Sequence, residues 1–239
     1  MRKGLFGILF LCVVASATAQ STGFSVWTGV GTFQMSSQVD FQNALESVAD
    51  LPVDLEPVYS FPPYWLYGAG LVAKTSERSA IGLWFEYTST GGRLSYKDYS
   101  ATITLDQLLS VNPYGVQYQH RINRHPDWQF FVTGQVSAAF TEATVRSSLI
   151  MGTSQQQEEL SMSSINFGLR PGVMMQRKWV GINWQAALGY EFQHHGVMET
   201  GDGLTLTASG EDVTAEWDGL RFRIGVFVPL GKKPKTTMQ

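Results

Sequence analysis

DGLRFRIGVFVPLG, residues 218–231, is the stretch whose reading decides the fold. With a strand's period of two, Leu220, Phe222, Ile224, Val226, Val228 and Leu230 share one face, while Arg221, Arg223, Gly225, Phe227 and Pro229 share the other. An unbroken apolar file of this length exceeds what an ordinary surface strand needs. The sequence must therefore say which file is enclosed.

Much of the chain repeats the pattern. Turn signals divide it into eight alternating segments, near 22–33, 63–74, 79–92, 108–122, 126–143, 161–176, 179–194 and 215–230. Ile81, Leu83, Phe85 and Tyr87 oppose Ala80, Gly82, Trp84 and Glu86. Phe130, Val132, Val136, Ala138 and Phe140 oppose Gln129, Thr133, Gln135, Ser137 and Thr141. Ile165, Phe167, Leu169 and Val173 oppose Asn166, Gly168, Arg170 and Gly172. The connections alternate too. Those at Lys74–Arg78, Asn123–Pro126 and Gln176–Lys178 are tight, and those at 34–62, 93–107, 144–160 and 195–214 are long. In an up-and-down meander alternate connections share an end, so the tight turns lie together and the long ones lie opposite.

Charge follows the same division. Of 20 acidic residues, most lie in or beside the long connections, among them Asp40, Glu158, Glu159, Glu199, Asp202, Glu211, Asp212, Glu216 and Asp218. The basic residues gather at the tight turns and in the tail Gly231-Lys-Lys-Pro-Lys235. One end is acidic and the other basic. Mere solvation of loops does not predict that separation of sign, and the acidic balance argues against nucleic-acid binding.

The first residues read as an address rather than as structure. Arg2 and Lys3 precede an apolar run, Leu5 to Val14, and the small residues Ala17-Thr18-Ala19, which together make residues 1–19 a secretory signal cut near Ala19. Its apolar run is too short for a spanning helix, which needs about 20 residues. The only cysteine, Cys12, leaves with it, so the mature chain has no disulfide. Residues 20–230 then form one β domain, and 231–239 a basic tail.

Composition chooses the inner face. A soluble, lipocalin-like barrel solvates its polar files and should carry many charges there. These files are instead Gly, Gln, Asn, Ser and Thr, and the apolar files carry no charge across their central spans. A Lys or Arg facing lipid at mid-membrane costs ~2–4 kcal/mol, and backbone groups in hydrocarbon must all be paired, which strands achieve only in a closed sheet. The expectation is an all-β, eight-stranded antiparallel up-and-down transmembrane barrel with its arginines enclosed. Tyr64, Trp65, Tyr67, Tyr87, Tyr114, Tyr190 and Phe192 toward the long connections, with Trp128 and Trp179 at the tight turns, are candidate interfacial girdles.

Enclosed charges need partners. Counting from the tight-turn end predicts a lumen layer of Glu86 with Arg170, Arg223 or both, and a second contact between Glu191 and Arg221. An eight-stranded bore is just filled by side chains, so the layer would act as a plug. In the first long connection Ser37-Gln-Val-Asp40 reads as a capping box. It opens a helix over 38–49, whose stripe Phe41, Ala44, Leu45 and Val48 is expected to rest on the barrel rim. That helix ends before Leu51-Pro52.

The chain resembles the small eight-stranded outer-membrane β-barrel proteins of Gram-negative bacteria, especially the Bacteroidota-type group. The resemblance is carried by the signal segment, the eight strands, the helix-bearing loop before Phe61-Pro-Pro-Tyr-Trp65, and the final strand Gly219–Leu230. It implies an outer-membrane protein with both termini in the periplasm and four loops outside. Many such barrels end on an aromatic residue, whereas nine residues follow Leu230 here. The expected role is structural, or a surface interaction through the long loops, in a monomer that touches outer-membrane lipid and lipopolysaccharide and could take a protein partner outside. The competing roles are a small passive channel, a lipid-modifying enzyme, and the soluble ligand-binding barrel.

The enzyme reading rests on His194 and His195, a candidate rim site beside Glu191. No serine neighbours them in sequence, and interfacial histidines at a strand end are the simpler reading. Adjacent strand residues point to opposite faces, which also argues against metal binding by the pair. No phosphate loop, dinucleotide fingerprint, zinc spacing or nucleophile elbow occurs, so neither catalysis nor a cofactor or metal is expected.

Overall fold

The computed structural model describes residues 21–48, 56–99, 101–125, 127–151, 154–180, 182–208 and 210–230. The expected signal (1–19) and tail (231–239) lie outside them. In chain order the elements are β1 (Ser21–Gly31), α1 (Ser36–Val48), β2 (Glu56–Ser60), β3 (Tyr64–Lys74), β4 (Ser79–Lys97), β5 (Ala101–Arg121), β6 (Trp128–Met151), β7 (Ser154–Trp179), β8 (Ile182–His194), β9 (Glu199–Thr200), β10 (Thr207–Ala208), β11 (Glu211–Asp212) and β12 (Gly219–Leu230). Eight of these strands close a ring, β1–β3–β4–β5–β6–β7–β8–β12 and back to β1, with every neighbour antiparallel. The β1–β12 seam runs from Thr22 opposite Leu230 to Gly31 opposite Arg221. Short β2 lies along the far part of β4, β9 pairs with β7, and β10 and β11 form a separate hairpin.

The file that opened the question faces outward. Phe222 is 50% exposed and Ile224 49%, whereas Arg221 is 2% exposed. Leu71, Val116, Val136, Leu169 and Leu188 stand on the same outer surface. Such a continuous apolar belt is far larger than a soluble monomer presents. It is the surface a bilayer requires, with all ring strands paired on both sides. The soluble reading is overturned, because it needs the apolar file inside.

Strand lengths differ from the sequence expectation. The connections expected at 93–107 and 144–160 are mostly strand. β4 and β5 continue to a short turn in which Asp98 N donates to Ala101 O at 3.0 Å and Ala101 N to Asp98 Oδ1 at 2.7 Å. β6 and β7 stay paired from Trp128–Arg177 up to Met151–Ser154. The third tight turn also moves, from 176–178 to the vicinity of Val180, whose φ is 50°. That conformation is rare for a β-branched residue.

Along the extensions, strand parity continues but polarity reverses. On the outer face Tyr87 gives way to Ser89 and Arg93, Tyr114 to Asn112 and Asp106, Phe140 to Glu142 and Arg146, and Ile165 to Ser163 and Glu159. Arg93, Asp106, Arg146 and Glu159 lie directly opposite one another across four strands. The Arg93 guanidinium donates to both Asp106 oxygens, and Arg146 Nε donates to Glu159 Oε2 at 2.8 Å. Inside the same extensions lie Leu94, Leu105, Leu109, Val111, Ala143, Val145 and Met162. They make an apolar core with Met35 and Phe41 of the first connection and Met198, Val213, Ala215 and Trp217 of the last.

Helix α1 closes this core from above. It begins at Ser36, earlier than expected, after Met35 at φ 52°. Its cap is supplied from a distance rather than by a local box. Glu216 Oε2 accepts from Ser36 Oγ and, at 3.3 Å, from Ser37 N, while Thr214 N donates to Ser37 Oγ at 2.9 Å. A carboxylate there satisfies free N–H groups and meets the positive end of the helix dipole. Phe41 is buried and Leu45 packs against the core. Ala44 borders an outer cleft, and the Val48 side chain lies outside the described residues.

Candidate functional site: the buried charge layer and the outer cap

Where the polar lumen meets the apolar core, the interior is crossed by ion pairs. Arg170 on β7 reaches over the bore. Its Nη2 donates to Glu86 Oε1 at 2.8 Å, its Nη1 to Glu86 Oε2 at 3.2 Å, and its Nε to Glu191 Oε2. All three side chains are at most 3% exposed. Arg223 Nη1 stands 3.7 Å from Glu86 Oε2. The residues come from two sides of the ring, β4 on one and the adjacent β7, β8 and β12 on the other, so the layer ties opposite walls together.

The local backbone makes room for it. The β4–β5 pairing skips Glu86 and Tyr87 opposite Pro113 and Asn112, and the β7–β8 pairing skips Arg170 and Pro171 opposite Glu191 and Tyr190. Proline has no N–H to give to a ladder. Both breaks fall at residues of the charge layer. Gly168 leaves space as well, since a β-carbon there would stand 2.3 Å from Glu191 Oε1.

One expected contact is replaced by another. Glu191 pairs with Arg170 rather than with Arg221. Among the described residues no carboxylate lies within 4.0 Å of Arg221, which donates instead to the carbonyls of Thr32 at 2.5 Å, Leu220 at 3.2 Å and Trp217. Arg221 thus fastens the outer connections to the barrel mouth. Strand order made Arg221 and Glu191 neighbours, but their register could not be read: Arg221 lies opposite Gly189 and Glu191 opposite Gly219.

Aromatic members of the layer were missed. Trp27 Nε1 donates to Glu86 Oε2 at 3.1 Å and its ring lies 5.3 Å from the Arg223 guanidinium, while Arg170 stacks on Trp84 at 4.9 Å. Both tryptophans fall on inward parity among small polar residues, and that was the available signal. Below the layer one cavity has a volume of about 30 Å³ and is bordered by Ser25, Trp27, Gln117, Gln185 and Arg223. A water needs roughly 10–15 Å³ by this measure, so this cavity has room for two or three waters. The fold defines a small, closed transmembrane β-barrel whose interior is crossed by this layer of ion pairs.

The two histidines diverge. His194 lies opposite the outward Phe167, whereas His195 Nε2 bonds Asp218 Oδ2, whose Oδ1 accepts from Gln193 N at 2.9 Å. Asp218 was not anticipated as its partner. Among the described residues no serine or threonine hydroxyl bonds either ring. The outer cap carries a cleft of about 390 Å³ between the start of α1 and the β10–β11 hairpin, bordered by Asp40, Glu211, Asp212 and Glu216.

No protein-family model matches the sequence, and no curated protein matches it either. Solved structures give a distant likeness. The N-terminal β-barrel domain of OprF from Pseudomonas aeruginosa is 12% identical, with 89% of this chain and 99% of that one covered and a TM-score of 0.33. Ail, the attachment invasion locus protein of Yersinia pestis, is 9% identical over 88% and 98%, with a TM-score of 0.35. A major outer membrane protein from Thermus thermophilus is 10% identical over 87% and 99%, with a TM-score of 0.45. Likeness at this level adds nothing to what the strands themselves establish.

Proposed function

We propose that this chain is a monomeric outer-membrane barrel, inserted after removal of a signal near Ala19, with both termini in the periplasm. It acts through a rigid head held above the lipid rather than as a conduit. One observation carries the reading: the strands β4–β7 run on past the apolar belt and are sealed by an apolar core under α1 and the last connection. Such a head costs a chain many ordered residues and gives a fixed external surface. The surface is acidic around the cleft at Asp40, Glu211, Asp212 and Glu216, which favours a cationic partner or divalent ions shared with lipopolysaccharide phosphates. No enzymatic role is assigned to His194 or His195.

Planar-bilayer recording tests the closed interior. The inserted protein is expected to give no steady ionic current. A stable open level carried by the unmodified chain would sink the reading in favour of the passive channel.

A further inference from the structure

At the tight-turn end, on the lipid-facing wall, Arg177 lies directly opposite Trp128 on one side and Trp184 on the other. Its guanidinium stands 4.5 Å from the Trp128 ring centroid. With Trp179 and Met175 these residues border a groove of about 190 Å³ whose lining is almost wholly apolar. Trp179 and Trp184 rings lie 6.3 Å apart. On the water-facing extensions of the barrel wall, Arg93 and Arg146 each receive a carboxylate from the neighbouring strand. Arg177 receives tryptophans on both sides, and among the described residues no carboxylate lies within 4.0 Å of it.

Ring faces hold a guanidinium in place but leave its N–H donors unsatisfied. Tryptophan at this depth seats at the headgroup level of a membrane. We infer that Arg177, Trp128 and Trp184 form a binding site for the phosphate of a glycerophospholipid in the leaflet at the tight-turn end, with the acyl chains lying along Met175 and the apolar wall above. A planar guanidinium is matched to two phosphate oxygens at once. The site rests on the reading of the barrel as membrane-spanning and adds a specific lipid to it.

The test is native mass spectrometry of the folded full chain in detergent with added phosphatidylglycerol, after a heat-shifted gel band and vesicle insertion have been checked on the same preparation. One retained lipid is expected. Retention should fall about tenfold in Arg177→Gln, the loss of one charge-assisted contact, and stay unchanged in Arg146→Gln. Arg177→Lys should fall between, which keeps the test open if Arg177→Gln does not fold. Diacylglycerol should not be retained, and inorganic phosphate should not displace the lipid. Equal retention in Arg177→Gln, equal retention of diacylglycerol, or displacement by inorganic phosphate would overturn the site. A chain that fails to insert would instead break the membrane reading itself.

Discussion

The lower and upper parts of β4–β7 are built on one backbone rule and opposite chemistry. Below the level of Tyr87, Tyr114, Phe140 and Ile165 the strands are mainly apolar outside and polar within; above it they are mainly polar outside, Leu108 and Ile150 excepted, and an apolar core fills much of the interior. Parity never slips across the change. What changes is the solvent. Hydrocarbon outside permits an apolar surface and leaves the bore for hydrogen-bonded groups, whereas water outside restores the ordinary drive to bury apolar area, worth roughly 25 cal/mol per Å². One continuous wall thus passes from a membrane protein to a soluble one, and the buried ion pairs lie near the crossing.

The inner face of the lower part should show the largest effect. Arg170→Ala leaves Glu86 and Glu191 buried without their shared cation, and breaking a buried pair from one side costs about 3–5 kcal/mol. Denaturant titration of the barrel in detergent measures it; a cost under about 1 kcal/mol would mean that water satisfies the carboxylates and that the layer does not join the walls.

The outer faces can be compared on a single strand. Val136 and Thr144 share the outward face of β6. Val136→Arg is expected to lose ~2–4 kcal/mol, and Thr144→Arg to stay within about 0.5 kcal/mol. The difference is read as the shift in folding free energy in lipid vesicles, and equal losses would erase the proposed boundary.

The smallest effect is at the cap. Glu216→Ala removes the acceptor shared by Ser36 and Ser37 and should cost roughly 0.5–2 kcal/mol. Limited proteolysis should find earlier cutting near α1 with the lower barrel intact. Unchanged cutting would show that α1 is held by Phe41 and Leu45 alone.

The amino-acid order made some of this readable. Alternation in β12 separates Phe222 and Ile224 from Arg221 and Arg223, and the neutral composition of the polar files says which side meets lipid. The extensions were hidden because their outward residues, such as Glu142, Thr144 and Arg146, look like loop composition. The alternating partners Ala143, Val145, Leu160 and Met162 carried the signal of a wall with its solvent reversed. Pairing choices inside the bore depend on register and reach, so Glu191 could not be sent to Arg170 from strand order alone. The cap on α1 comes from Glu216, 180 residues away from Ser36, and no local pattern announces it.

The ring closes between the first and last strands, where the Thr22 hydroxyl meets the Leu230 carbonyl across 208 residues. Every other junction of the cylinder joins strands much nearer in the chain. This seam therefore carries the heaviest loop-closure entropy of the structure. Until β1 finds β12, both present unsatisfied edges that hydrocarbon will not tolerate. Whatever escorts the polypeptide into lipid has to shelter those two edges and release them together, as the final act of maturation.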